Sequence, residues 1–213
     1  MTSEKRLEDL IDGLSGDLNP VRPLAHPLWR AGVCFVLTAA YLAATVYGLH
    51  PRMDWMDKFH ELNFLFEMSL AGAVWISALL CAGWLCVPDM RGQEWMKAVP
   101  VTLTGIFVLW SVLRGVMDGV SIFPLHWDHC FENGFLMGMV PLALVAFFSR
   151  GGTTTHPYWL ALMNTLAVGS AGWMGLRLTC SMDDVGHGFL YHFVPFLVLG
   201  SLIGVFARRL FRW

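Results

Sequence analysis

A stretch near the C-terminus, LTCSMDDVGHGFLYH, places one cysteine, two aspartates and two histidines within 15 residues. The cysteine is Cys180, and the histidines are His187 and His192. Thiolate, imidazole and carboxylate groups bind soft metal ions, and a thiolate also reacts with oxidants. The stretch is therefore a candidate for metal binding, for thiol chemistry, or for both.

A second such stretch, HWDHC, ends at Cys130. Together the two stretches predict a sensing or ligand-binding site at Cys130 and Cys180. Its metal-ligating or supporting residues would be His126, His129, Asp183, His187 and His192. Two alternatives stay open: a Cys130–Cys180 disulfide, which needs α-carbons within about 7 Å, or two unrelated cysteines.

The spacing of the histidines matters, because His187 and Tyr191 lie one helical turn apart while His192 points about 100° away from Tyr191. We therefore expect only one of the two histidines to face the same partner as Tyr191. His192 would lie deeper in the last apolar segment, either as part of a site or as a neutral bridge between helices. Glu67 raises a similar question, for which Arg114 is a candidate partner.

The surrounding chain is built to lie in a membrane. Its 213 residues are 56% hydrophobic and 14% charged, and the mean hydropathy is +0.55. Segments of about 20 apolar residues can cross a bilayer as helices. The predicted fold is an all-α bundle of six transmembrane helices, preceded by a short cytoplasmic amphipathic helix. The spans are residues 29–49, 62–87, 96–116, 133–149, 157–176 and 188–207.

Lysine and arginine predict the orientation of this bundle. Ten of the 14 lie on the side of the N-terminus, which indicates cytoplasmic termini by the positive-inside rule. Six of the eight histidines, with Cys130 and Cys180, then lie outside. The third and fourth spans contain Pro100 and Pro141, so we expect any failed assignment to be one of these. Recurring glycine pairs indicate close helix packing and permit a homodimer.

Residues 1–28 form a separate cytoplasmic segment, and residues 29–213 form the membrane domain. The segment carries an apolar stripe at helical spacing and an excess of acids before Asn19. Such a helix suits the groove of a basic partner better than a lipid surface. Folding back onto the inner loops is the alternative.

Several function classes are not expected. The net charge is −2 and no basic run is present, so direct nucleic-acid binding is not predicted. No nucleotide or hydrolase motif appears, and a thiol oxidoreductase would need a CxxC or a second external pair of cysteines. We therefore do not expect an enzyme. A small metal-ion or proton transporter, using Glu67, Arg114, Asp118 and His192, is the competing interpretation.

The whole chain resembles the NrsF family of polytopic anti-sigma factors. The run DLIDGLSGDLNPVRPLAHPLWR is similar to the family's N-terminal signature, with Arg22 and Pro23 inside it. Cys130 followed by Gly134 matches one family cysteine. Cys180, Asp183, His187, Tyr191, His192 and the basic ending RRLFRW match the C-terminal pattern, with Ser181 where the family often has proline.

This resemblance implies an inner-membrane anti-sigma factor that holds an extracytoplasmic-function sigma factor through its N-terminus. The partner-binding residues would be Leu7, Leu10, Ile11, Leu14, Leu18, Arg22 and Pro23. It also implies that Cys130 and Cys180 sense heavy-metal or oxidative stress. No cofactor is required, although a metal ion can bind at the outer cysteines, and the other expected partner is membrane lipid.

Overall fold

The computed structural model describes residues 2–16, 25–87, 92–118, 129–150, 152 and 154–211. These residues contain no β-strand, which confirms the all-α class for the described part of the chain. In chain order the α-helices are α1 (Thr2–Gly16), α2 (Pro27–Gly48), α3 (Trp55–Lys58), α4 (Leu62–Leu85), α5 (Ala98–Asp118), α6 (Cys130–Arg150), α7 (Pro157–Thr179), α8 (Val185–His187) and α9 (Val194–Leu210). A 3-10 turn (Glu94–Lys97) precedes α5, and a π-helical turn (Gly188–Phe193) joins α8 to α9.

Five segments among the described residues are long and apolar enough to cross a membrane. They are Pro27–Gly48, Leu62–Leu85, Glu94–Met117, Cys130–Arg150 and Val185–Leu210. The prediction of six such spans is wrong at the fifth, residues 157–176. The two proline-containing spans are retained, so the expectation that one of them would fail is also wrong.

The helix α7 explains this difference. It has 23 residues, and it is less apolar than the other long helices because it contains Asn164, Ser170 and Arg177 together with three glycine and two tryptophan residues. Asn164 is fully buried, and its amide donates to the Ser149 hydroxyl over 3.0 Å. Because α7 packs against α2, α4, α6 and α9, its polar and small residues face protein.

Glycine allows the helices around α7 to approach closely. A Cβ added at Gly172 would lie 2.2 Å from the Phe196 ring, and one at Gly200 would lie 2.1 Å from Thr165. Neither contact leaves room for a side chain. The close-packing interpretation is confirmed at these two positions, whereas Gly204 faces open space.

The bundle has two distinct ends. The backbone N–H of Arg52, after α2, donates to the carbonyl of Leu178 at the end of α7. This end also holds Cys130 and Cys180, and we call it the cysteine end. At the opposite end, Arg30 in the first turn of α2 donates to the carbonyl of Phe148 near the end of α6. The N-terminal segment therefore joins the bundle at the end away from the two cysteines.

Helix α1 lies apart from the bundle core, and residues 5–16 are all exposed. The apolar side chains of its predicted stripe, Leu7, Leu10, Ile11 and Leu14, are 54–65% exposed. The other predicted partner-binding residues, Leu18, Arg22 and Pro23, lie outside the described residues. The binding role of this segment stays a prediction.

Candidate cysteine and histidine site

Four side chains that can bind a metal meet at the cysteine end. Cys130 begins α6, Cys180 follows α7, His187 ends α8, and His192 lies in the π-helical turn. One ligand atom from each residue lies within 4.8 Å of those of the other three. All four residues are buried. The site therefore joins the ends of three long helical segments.

The π-helical turn brings the two histidines together. In an α-helix, residues five apart point about 140° away from each other. The wider π turn reduces this angle, and the rings of His187 and His192 have their centroids 5.1 Å apart. His187 also packs against the ring of Tyr191 at 4.8 Å. The expectation that only one histidine would face the same partner as Tyr191 is wrong, because it assumed α-helical geometry: Tyr191 packs against Cys130 and Cys180, and both histidines lie beside these cysteines.

Cys180 lies in surroundings that favour a thiolate. A hydrogen bond with the Cys130 side chain lowers the pKa of the Cys180 thiol, and this effect outweighs the opposing effect of burial. The sulfur of Cys180 also lies 3.4 Å from Nε2 of His187. The thiolate is the form of cysteine that binds metals and attacks oxidants. Both reactions are therefore available at this position.

His192 is fully buried, and neither of its ring nitrogens has a well-aligned hydrogen-bond partner among the described residues, although its interaction with Cys180 helps to lower the pKa of that thiol. Leaving a buried polar group unsatisfied costs about 1–3 kcal/mol. A neutral histidine that bridges two helices would have such a partner. The arrangement instead suits a nitrogen that receives a ligand.

Asp183 is held by cations at the edge of the site. Its carboxylate accepts from Arg52 at 2.9 Å through both oxygens, from Arg177 at 2.9 Å and from Lys58 at 2.8 Å. Burial by itself raises the pKa of Asp183, but the hydrogen bonds from Arg52 and Lys58 outweigh it and hold the pKa well below its usual value. The residue therefore fixes the loop between Cys180 and His187.

The network continues into the helices through Glu67. This carboxylate is 5% exposed and binds Arg114, the candidate partner that the sequence suggested. Its other oxygen lies 3.5 Å from Arg177, whose guanidinium also packs over the rings of Phe64 and Trp173. Buried charges are tolerated when they are paired in this way. The network ties α4, α5 and α7 to the cysteine-bearing loop.

The remaining predicted site residues lie elsewhere. His129 has an 86% exposed side chain and pairs with Glu132 at 3.4 Å, outside the four-residue site. His126 lies outside the described residues. All five cysteines are described and none forms a disulfide.

Sequence reasoning missed Arg52, which is 5% exposed and anchors the loop after α2 to the loop after α7. Besides its ion pairs, its N–H bonds to Leu178 over 2.9 Å. The sequence did contain a signal for these anchoring cations. The outer side of the predicted topology holds four cations, which are Arg52, Lys58, Arg114 and Arg177. All four bind carboxylates at the cysteine end.

Comparison with known proteins gives one family. The family model NrsF, described as negative regulator of sigma F, matches residues 14–213. No curated protein and no solved structure matches the chain. The matched range contains both cysteines and both histidines of the site. The chain therefore belongs to the NrsF family of negative regulators of sigma F.

Proposed function

We propose that this chain is an inner-membrane anti-sigma factor whose N-terminal segment lies in the cytoplasm. It sequesters an extracytoplasmic-function sigma factor through residues 1–28 and releases it when Cys130 and Cys180 react with a heavy metal or an oxidant. Negative regulation of a sigma factor follows from membership of the family. The type of sigma factor, its binding segment and the signal are our proposal.

The observation that carries this proposal is the burial of two cysteines together at the end of the bundle away from the N-terminal segment. Cys130 and Cys180 are 7% and 5% exposed. If the bundle spans the membrane, these cysteines face one compartment and residues 1–28 face the other. Signal and output then lie on opposite sides, as a transmembrane regulator requires.

Helix α1 supplies a surface suited to the output. Its apolar side chains are exposed, and Glu8, Asp9 and Asp12 lie beside them. An amphipathic helix of this kind binds by laying its apolar face into a groove, and its acids favour a basic partner. A sigma factor bound there cannot engage polymerase and DNA.

The site is also placed to transmit a signal. Cys130 begins α6, Cys180 follows α7, and the histidine segment leads into α9, so a ligand that draws these residues together changes how the three helices pack. A ligand shifts an equilibrium only by its difference in affinity for the two states. A strong switch needs about 3–5 kcal/mol of such a difference.

The test is co-purification from the native host in mild detergent. The full chain is compared with a variant lacking residues 1–20, and bound proteins are identified by mass spectrometry. We expect a sigma factor with the full chain and none with the deletion. A second variant, Leu10→Asp, should also lose the sigma factor, whereas its neighbour in the sequence, Asp9→Asn, should retain it.

The absence of a sigma factor from both unstressed samples would contradict the proposal. The competing transporter interpretation makes the reverse prediction, since it expects the variant lacking residues 1–20 to keep its activity. Glu67 and Arg114 would then belong to the transport path, although they pair with each other in this structure. Metal uptake into vesicles distinguishes the two functions.

A further inference from the structure

We propose that the cysteine end holds one divalent cation of the Zn²⁺ and Cd²⁺ class in a Cys2His2 centre. Its ligands are Cys130, Cys180, His187 and His192. The proposal rests on the cysteine sensing described above and deepens it, because it adds two histidines and names the class of ligand. The resting site is then a metal centre or its empty form, and a disulfide is not required.

The spacing of the four ligand atoms fits a tetrahedral ion. They lie within 4.8 Å of one another. Around Zn²⁺, bonds of about 2.3 Å to sulfur and about 2.0 Å to nitrogen place the ligand atoms roughly 3.3–3.8 Å apart. Side-chain adjustments of about an ångström therefore close the site around the ion.

The chemistry of the donors selects the class of metal. Two thiolates balance the charge of a dication, so the complex is neutral in a buried site, where an uncompensated charge would be costly. Asp183 is occupied by Arg52 and Lys58, and the Asp184 carboxylate accepts from the N–H of His187 over 2.9 Å. The donors left are sulfur and nitrogen, which favour Zn²⁺ and Cd²⁺ over Mg²⁺ or Ca²⁺.

Two independent features point to a ligand at this position. His192 is fully buried, and neither ring nitrogen has a well-aligned hydrogen-bond partner among the described residues, although the ring interacts with the Cys180 thiol; coordination would satisfy one of these nitrogens beside that sulfur. The π-helical turn Gly188–Phe193 places His192 beside His187, and such turns occur mostly at functional sites. Each feature is unfavourable in isolation, and a metal ion accounts for both.

The experiment is a Co²⁺ titration of the full chain, purified in detergent, reduced and stripped of metal. Co²⁺ bound by two thiolates and two imidazoles gives intense visible bands of tetrahedral type and a sulfur-to-cobalt charge-transfer band. We expect one Co²⁺ per chain, displaced by Zn²⁺ or Cd²⁺ and not by Mg²⁺. The replacements Cys130→Ser, Cys180→Ser, His187→Gln and His192→Gln should each weaken binding by at least about 100-fold.

Two matched controls should leave the spectrum and the affinity unchanged. His129→Gln alters a neighbouring histidine that is exposed, and Cys86→Ser alters a buried cysteine at the opposite end. Circular dichroism and gel filtration check that each variant is folded. If His192→Gln aggregates, His187→Gln provides the same test of the imidazole ligands.

Three results would overturn the proposal. They are no Co²⁺ binding, binding without the sulfur charge-transfer band, and binding that needs both cysteines and is unaffected by both histidine replacements. The last result would leave cysteine sensing in place while removing the Cys2His2 centre. Sigma-factor co-purification is measured separately, so failure of the metal centre and failure of the anti-sigma function are distinguishable.

Discussion

Two buried cysteines at opposite ends of the bundle show how surroundings decide what a thiol can do. Cys86 is 1% exposed and donates to the carbonyl of Ser149 over 3.6 Å. Burial raises the pKa of Cys86, and the nearby guanidinium of Arg30 does not reverse this effect. At the other end, hydrogen bonding lowers the pKa of Cys180. The surroundings therefore favour the neutral thiol at Cys86 and the thiolate at Cys180.

The charged groups around Cys86 and Cys180 also differ between the two ends. At the cysteine end, Arg52, Lys58 and Arg177 all bind Asp183, and Arg177 reaches Glu67. Arg30, by contrast, binds a backbone carbonyl rather than a carboxylate. Paired charges fix the loop that carries Cys180 and His187. The cysteine end is therefore held by ion pairs, whereas the opposite end is held by close packing.

The largest effect should come from exchanging Cys180. We expect Cys180→Ser to reduce metal-induced or oxidant-induced transcription from a sigma-dependent promoter at least about tenfold, because one thiolate ligand is lost. Cys86→Ser is the matched control and should preserve induction. A reporter assay in the native host measures both. Equal induction in the two variants would contradict a functional difference between the two ends of the bundle.

The replacement Asp183→Asn should have the next largest effect, because it leaves Arg52 and Arg177 without their shared carboxylate. Breaking a buried pair costs about 3–5 kcal/mol. The Asp183 side chain is 35% exposed, so screening by water reduces our expectation to about 1–3 kcal/mol of unfolding free energy. Chemical denaturation in detergent measures it. Asp54→Asn removes a more exposed partner of Arg52 and should cost less.

Acid should weaken the same network. Because the pKa of Asp183 is lowered in the folded protein, its contribution to stability is complete above the unfolded value of about 4. It is lost as pH falls from there through the lowered pKa. We expect the Asp183→Asn variant to lose less stability than the parent chain below about pH 4. A constant difference between them down to pH 2 would contradict this assignment.

A smaller and purely structural effect is expected at the opposite end. A Cβ added at Gly152 would lie 2.5 Å from that of Cys86, so Gly152→Ala should destabilise the bundle by about 1–3 kcal/mol. Co²⁺ affinity at the cysteine end should not change. Gly204→Ala, where nothing lies within 4 Å, is the control and should be nearly neutral. A loss of Co²⁺ binding in Gly152→Ala would show that the ends are coupled through packing.

Much of the architecture could be predicted from the sequence, because apolar segments of about 20 residues determine where long helices form. The sequence also indicated that Glu67 needs protonation or a partner such as Arg114, but which cation it binds could not be read from the sequence. The interpretation of α7 as an apolar span failed because its composition reflects contact with protein. Hydropathy alone does not distinguish a helix enclosed by others from one that is too polar to span.

The geometry of the site was harder to predict. The segment Gly188–Phe193 is apolar enough to continue an α-helix, and no residue in it requires a π turn. The turn places His192 beside His187 and the two cysteines, and these contacts between distant parts of the chain form only in the folded bundle. The residues that anchor the two loops left a clearer signal in the sequence. Arg52 and Arg177 are cations on the outer side of the predicted topology, where the positive-inside rule expects few. Such exceptions merit attention as members of buried ion-pair networks.

The most direct test of the account is release of the sigma factor from the purified complex. The full chain, with its co-purified sigma factor, is held on an affinity resin and treated with Cd²⁺, and the eluted sigma factor is quantified. The account predicts release from the parent complex and retention by the Cys180→Ser variant. Release that is the same in both, or no release from the parent complex at saturating Cd²⁺, would contradict control of a sigma factor by this site.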